Sequence, residues 1–247
     1  MSAVREVVYG RNPVREALRG KRAVHRVWVS VRESGGELSS LVEAWTGETG
    51  ENSPRLEHAG VDDLTQKAGS SDHQGLVAEV DPYPCADPNS LLDAGGLVIA
   101  LDRVQDPHNL GAVIRTANAA GAAVVIPRHR SAAITPAVVK ASAGATENTP
   151  VAVTRNLSDF LIEAREYGFW SYGAESGGGS YLKQEYPQRC LLVVGSEGMG
   201  LGDRVRKECD VLVGVPMAGK IESLNVGVSA AVLMFEVRRQ WGWEEGR

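Results

Sequence analysis

Between Gly96 and Val237 the chain alternates short, nearly continuous apolar runs with stretches of helical periodicity, and this alternation constrains the fold most. GLVIALDRV (96–104) lacks the in/out alternation of a half-exposed strand and reads as a strand covered on both faces. NLGAVIRTANAAGA (109–122) reads as a helix ending at Gly121, and AAVVIP (122–127) as the next strand. TPAVVKASAGA (135–145) is helical in pattern and TPVAVT (149–154) strand-like. LSDFLIEAREYG (157–168) is a helix with Ser158 as its N-cap, followed by a strand over FWSYGAE (169–175). CLLVVGSEGMG (190–200) is an apolar strand that breaks into glycines. DVLVGVPM (210–217) is the last strand, and a long apolar helix follows within KIESLNVGVSAAVLMFEV (220–237). Strands alternating with helices predict an α/β fold with a mostly parallel sheet.

The first third has a different texture. GRNPVREAL (10–18) reads as a turn and a helix, with Asn12 as N-cap and Pro13 near the first helical position. HRVWVSV (25–31) reads as a half-buried strand, ELSSLVEAW (37–45) as a helix, and TGETGENSP (46–54) as a loosened connection. A short helix over 61–69 and a strand over 73–80 complete a small α/β domain spanning 1–80. DPYPCADPNSLLDAGG (81–96) places three prolines in eight residues, which predicts a linker over 81–95 and a main domain over 96–247.

Composition removes several function classes. No apolar run approaches the roughly 18 residues of a membrane helix, and the first residues lack a secretory apolar core. Cys85, Cys190 and Cys209 form no CxxC pair, so neither a disulfide framework nor a zinc site is expected, and a reducing cytoplasm is the natural reading. The five histidines show no metal-ligand spacing. The net charge of −5 hides a strong asymmetry: residues 1–32 hold eight Lys/Arg against two Asp/Glu, and residues 33–93 hold two against thirteen. The basic block is either a phosphate-facing surface or a solvated face.

Three loops carry the candidate chemistry. In DPHNLGAVIRTANAAGA (106–122), Arg115 follows Asn109 by six residues, at a site or merely exposed on a helix. In VVGSEGMGLG (193–202), Gly195, Gly198, Gly200 and Gly202 follow a buried strand in a spacing unlike the dinucleotide fingerprint. Glu197 within it is either a site residue or an N-capping acid. In VPMAGKIESLNVGVSAAVL (215–233), Ser223 reads as an N-cap and Asn225 falls in the first turn, where an amide has low helix propensity. A polar pair at the mouth of a buried helix calls for a partner, from the backbone or from a ligand.

In order and spacing these stretches resemble the three motifs of the SpoU branch of the SPOUT RNA methyltransferases: NLG-x4-R, G-x-E-G-x-G and P-M-x-G-x3-SLNV. YGRNPVREAL and HQGLVAEV resemble the ends of that family's small N-terminal domain, related to ribosomal protein L30e. RSAAITPAVVKASAGATENTPV (130–151) resembles the segment between motifs in the bacterial 23S rRNA guanosine 2′-O-methyltransferase subgroup. The resemblance implies methyl transfer from S-adenosylmethionine (AdoMet) to a ribose 2′-hydroxyl by a homodimer whose catalytic domain carries a C-terminal trefoil knot, with no metal. It implies a cofactor pocket at Gly195, Val215, Leu224, Ala174, Gly198 and Met217. It implies a reaction centre of Asn109, Arg115, Glu197, Ser223 and Asn225. Arg115 is the family's usual catalytic residue; with a pKa above about 12 it is better suited to clamping phosphate and stabilising an alkoxide than to acting as a base. Gly227 and Glu222 depart from the motif beside the site.

Arg11, Arg15, Arg22 and Arg26 are the expected RNA contacts of the N-terminal domain. The same chemistry on tRNA is one alternative; the N-terminal domain and the 130–151 segment favour rRNA. A non-catalytic RNA-binding or ribosome-assembly protein is a second, opposed by the intact polar set. A nicotinamide enzyme is a distant third, given the wrong glycine spacing.

Overall fold

A computed structural model describes residues 4–31, 37–47 and 54–243. The chain divides into two compact units, one formed by Met1–Pro84 with Ile134–Asn148, the other by Cys85–Ala133 with Thr149–Arg247.

The first unit is a four-stranded sheet with helices on both faces. Its strands are β1 (Glu6–Tyr9), β2 (Val24–Ser30), β3 (Arg55–Ala59) and β4 (Leu76–Val80), in the order β1-β4-β2-β3. β4 is antiparallel to β1 and β2, and β2 is parallel to β3. Helices α1 (Arg11–Arg19) and α2 (Glu37–Gly47) supply Val14, Leu18, Leu38 and Val42 to a core with Val27 and Val29. Helix α3 (Val61–Ala68) covers the opposite face, where Leu64 meets Trp28 and Val77. β2 is therefore buried on both faces, not half-exposed. Glycines, not side chains, sit at the helix starts: Gly10 caps α1, with Asn12 already inside it. β1 and β3 lie at the sheet edges and, at four and five residues, are too short to announce themselves in sequence.

The second unit is built on six strands: β5 (Gly96–Asp102), β6 (Ala123–Pro127), β7 (Val151–Thr154), β8 (Trp170–Ser180), β9 (Arg189–Gly195) and β10 (Val211–Gly214). All pair in parallel, in the order β10-β8-β9-β5-β6-β7. β5 and β9 are central and buried, as continuous apolar runs require. The helices are α4 (Pro88–Ala94), α5 (Pro107–Ala120), α7 (Leu157–Glu166), α8 (Asp203–Glu208) and α9 (Val226–Trp241), with α6 (Pro136–Ala141) belonging to the first unit. Asn156, not Ser158, caps α7.

Two features depart from the expected division of the chain. Residues 85–95 are not a free linker: Ala86 bridges Ala152, and Leu91 and Leu92 on α4 enter the core of the second unit. Burying two leucines contributes about 1.5–3 kcal/mol each, enough to override the proline-rich composition. Residues 134–148 join the first unit, where Val139 lies in the core with Val8 and Leu18.

The strand order sets the site. The chain runs outward from β5 to β6 and β7, then returns to place β9 on the other side of β5. Open parallel sheets bind ligands at the carboxyl ends of strands flanking such a reversal. Asp102 and Gly195 end those two strands in register.

Candidate active site

At the reversal three segments converge. The first is the start of α5, where Asp106 caps the helix by accepting from the His108 amide at 3.0 Å, one residue before Asn109.

The second is the glycine loop after β9. Ser196 and Gly200 form an isolated bridge, so the loop doubles back at once. A Cβ at Gly195 would lie 2.1 Å from the Gly200 carbonyl carbon, which no side chain tolerates. Gly198 and Gly200 hold φ of 78° and 61°, the left-handed region that glycine occupies freely. The loop is fastened from below. Asp102, 5% exposed, accepts from the Gly202 amide at 2.6 Å. Arg103, itself at φ 60°, pairs with Asp102 at 3.4 Å and donates to the Gly200 carbonyl at 3.2 Å.

The third segment leads into α9. Asn225 is the N-cap of that helix, its Oδ1 accepting from the amides of Gly227 at 2.9 Å and Val228 at 3.4 Å. This corrects the expectation that Ser223 caps and Asn225 lies inside the first turn: the helix starts two residues later, so the amide sits where short polar side chains stabilise a helix. Its Nδ2 donates to Asn109 Oδ1 at 2.9 Å and to Glu197 Oε1. One asparagine thus joins all three segments. Glu197 is not a capping acid, since α8 begins six residues later behind Gly202.

Beside this junction lies a cavity of about 380 Å³, within the usual range for small-molecule sites. Gly195, Gly198, Ala174, Val215, Met217 and Leu224 all line it, as do Glu197 and Ser223. One wall carries a jump in register between β8 and β10: Leu212 pairs with Gly173 but Val213 pairs with Gly179, and Ala174, Glu175 and Ser176 from the skipped stretch line the cavity. The Ser176 hydroxyl ties this stretch to the Glu222 carbonyl at 2.9 Å.

Arg115 stands apart. It is exposed on α5, roughly 120° around the helix from Asn109, and has no side-chain hydrogen bond or ion pair among the described residues. The departure at Gly227 is a packing matter: a Cβ there would sit 3.2 Å from Asn225 Oδ1 and 3.4 Å from the Ala112 Cβ.

Among the expected RNA contacts, Arg22 is a correction. Its side chain is buried, paired with Glu6 at 3.2 Å and with Glu147, and it donates to the Asp81 carbonyl at 3.4 Å. Burial raises the Glu147 carboxyl above its ordinary value, with Arg22 opposing the rise. This charge holds residues 134–148 to the first unit and offers nothing to solvent. Arg11 is exposed, Arg15 pairs with Glu16 at 3.0 Å, and Arg26 lies 5.4 Å over the Trp28 ring.

Sequence reasoning missed Asp102, Arg103 and Ser196. A charged pair directly ending an apolar strand was the available signal for the first two. Ser196 lines the cavity and has a buried Oγ without a hydrogen-bond partner among the described residues, and sequence carries no sign of that. Among the described residues no group of three His, Cys, Asp or Glu side chains is placed to hold a metal, and no helix is long and apolar enough to cross a membrane.

Comparison with known proteins places these features. Residues 96–235 match the model of the SpoU rRNA methylase family, and residues 7–85 match that of the RNA 2′-O ribose methyltransferase substrate-binding domain. A Bacillus subtilis (strain 168) protein named for the TrmH family of tRNA/rRNA methyltransferases is 37% identical over 250 residues, covering 97% of this chain and 98% of that one. The solved structure of an RNA methyltransferase described as TrmH-family, from Porphyromonas gingivalis, superposes with TM-score 0.78 at 28% identity, covering 96% of this chain and 90% of that one. The SpoU methyltransferase AviRb from Streptomyces viridochromogenes, solved with AdoMet, gives TM-score 0.78 at 25% identity over 96% of this chain and 90% of its own. With a family model spanning more than half its length, the chain belongs to the SpoU rRNA methylase family of RNA ribose methyltransferases.

Proposed function

We propose that this chain methylates the ribose 2′-hydroxyl of a guanosine in 23S rRNA, using AdoMet, and does so as a cytoplasmic homodimer with a knotted C-terminal segment. The observation that carries the reaction is the junction of Asn109, Glu197 and Asn225 at the edge of the cavity. The N-terminal unit and the 130–151 segment support rRNA over tRNA. The exposed apolar face of α9, with Val228 and Phe235 beside Trp243, supports a dimer.

The cavity suits AdoMet. Apolar walls from Val213, Val215, Leu224 and Leu233 match its methylene groups and adenine ring. Glu197 and Glu222 add negative charge for a cationic ligand, while Glu175 is already paired with Arg206 at 2.7 Å, and the unpartnered Ser196 Oγ awaits a hydrogen bond. Bound AdoMet supplies an electrophilic methyl on a sulfonium. Glu197 and Asn225 hold the mouth rigid, so the ribose meets a preorganised edge. Arg115 clamps a substrate phosphate and stabilises the charge that develops on the 2′-oxygen; its full-time positive charge suits that role and not proton abstraction.

The test is transfer of labelled methyl to undermodified 23S rRNA and, in parallel, to unmodified tRNA. Label on a 23S ribose, reduced about 10²–10³-fold in Arg115→Ala, is the expected result. Label in tRNA alone overturns the rRNA assignment, and none in either overturns the enzymatic reading. A basic pH limb present in wild type and Arg115→Lys but absent in Arg115→Ala would overturn the clamp role.

A further inference from the structure

The carboxyl edge of the six-stranded sheet carries charge unevenly. Over β8, β9 and β10 lie the cavity carboxylates Glu197 and Glu222, with Glu175 paired to Arg206 at 2.7 Å. At the end of β5 lie Asp102, Arg103 and Asp106, and beyond β6 and β7 lie arginines. The pairs Val98–Ala123 and Ala100–Val125, extended along both strands, bring Arg103 level with Arg128; the pair Pro127–Thr154 brings Arg128 level with Arg155. Each is the first residue beyond its strand. With neighbouring strands about 4.8 Å apart, the row crosses the sheet edge in about 10 Å.

Arg103 is engaged with Asp102 and the glycine loop. The others are not so engaged. Arg128, His129, Arg130 and Arg155 are exposed, and among the described residues none of their side chains has an ion pair or hydrogen bond. Nor does the loop hang free. The Arg128 amide donates to the Thr154 carbonyl at 2.8 Å; further on, the Ala132 amide and Ser131 Oγ donate to the Val104 carbonyl at 2.9 and 3.2 Å. Arg130 holds φ at 61°, uncommon for a side chain of its size. A fixed loop that carries several exposed guanidinium groups without an ion-pair partner among the described residues favours a polyanion that bridges them. The planar guanidinium fork matches phosphate oxygens.

We propose that Arg128, Arg130 and Arg155 form a phosphate-binding track on the methyltransferase unit, which lays the RNA strand across the ends of β6 and β7 toward the cavity mouth. The proposal rests on the RNA-methyltransferase reading above. It adds a substrate surface to the unit that holds the cavity, separate from the substrate-binding domain matched over 7–85. The arginines left unpaired among the described residues place the polyanion over β6 and β7, and Glu197 and Glu222 place the cationic cofactor on the cavity side.

The test uses the full chain with Arg128→Ala, Arg130→Ala and Arg155→Ala, singly and combined. RNA affinity is measured against salt, and AdoMet affinity by calorimetry. Each lost phosphate contact should flatten the slope of log K against log salt by about 0.7, and the triple variant by about 2. The KM for RNA should rise at least about tenfold in the triple variant, with AdoMet affinity unchanged. Unchanged RNA affinity and slope, in a protein whose wild type methylates RNA, overturns the track alone. A wild type that binds no RNA overturns the track together with the reading it rests on. If the triple variant loses AdoMet binding through misfolding, the single variants decide by the same slope criterion.

Discussion

Asn225 performs two tasks with two atoms, and substitutions separate them. Its oxygen caps α9, and its nitrogen links Asn109 to Glu197. Asn225→Asp keeps the cap but replaces a donor with a carboxylate facing Glu197. Methyl transfer should fall by about two orders of magnitude, the effect of losing a preorganised donor, and the melting temperature should approach wild type as pH is lowered and the two facing carboxyls share a proton. Asn225→Ala should lose activity and also about 1 kcal/mol of stability in urea titration. Equal stability losses in both variants at lowered pH would overturn this partition. Arg22 makes a contrasting case, an arginine whose value is internal. Arg22→Ala leaves Glu147 buried without its cation and should cost about 3–5 kcal/mol at neutral pH. The sign with pH follows from the raised Glu147 carboxyl. A carboxyl raised in the folded state favours folding when protonated, and that contribution is lost as pH rises through the raised value. Removing Arg22 raises it further, so the deficit against wild type should shrink as pH is lowered toward the ordinary carboxylate value. A deficit independent of pH would mean that lost packing dominates.

The elements at the site are held by backbone more than by side chains. The glycine loop folds against itself so closely that Gly195 has no room for a Cβ, while Asp102 and Arg103 fasten its far end. Gly195→Ala should displace the loop, cost about 1–3 kcal/mol or more from overpacking, and weaken AdoMet binding in calorimetry. Unchanged affinity would show that the loop's shape is not what the cofactor reads. Much at this scale was legible beforehand. The apolar runs at 96–104 and 190–195 announced the central strands, and the glycines after the second announced a close approach. The cap of α9 was misread because the tetrad Ser223–Val226 offers two capping residues and only the observed helix start selects between them. The cavity itself was not legible, since its wall includes residues skipped by the register jump between β8 and β10, two strands that meet only in the sheet.

The whole molecule distributes its chain across two units in a way that linear order hides. The segment 134–148 lies between strands of the second unit yet packs Val139 and Glu147 into the first. The proposed dimer belongs to this scale as well. Phe235 is 42% exposed beside Trp243, on a helix otherwise packed against α5. Phe235→Asp should convert a dimer to a monomer in light scattering, and a wild-type mass equal to the monomer would overturn the assignment. The sequence by itself determined the parallel α/β class, the order of the three loops and the polar residues they carry, because strand burial and glycine spacing are written locally. Only the tertiary structure decided that Asn225 is the joint, that Arg22 is an internal charge and not a surface one, and that the edge arginines stand in register. Each of these depends on which distant segment becomes the neighbour, and that is set by burial across the whole fold, not by any window of sequence.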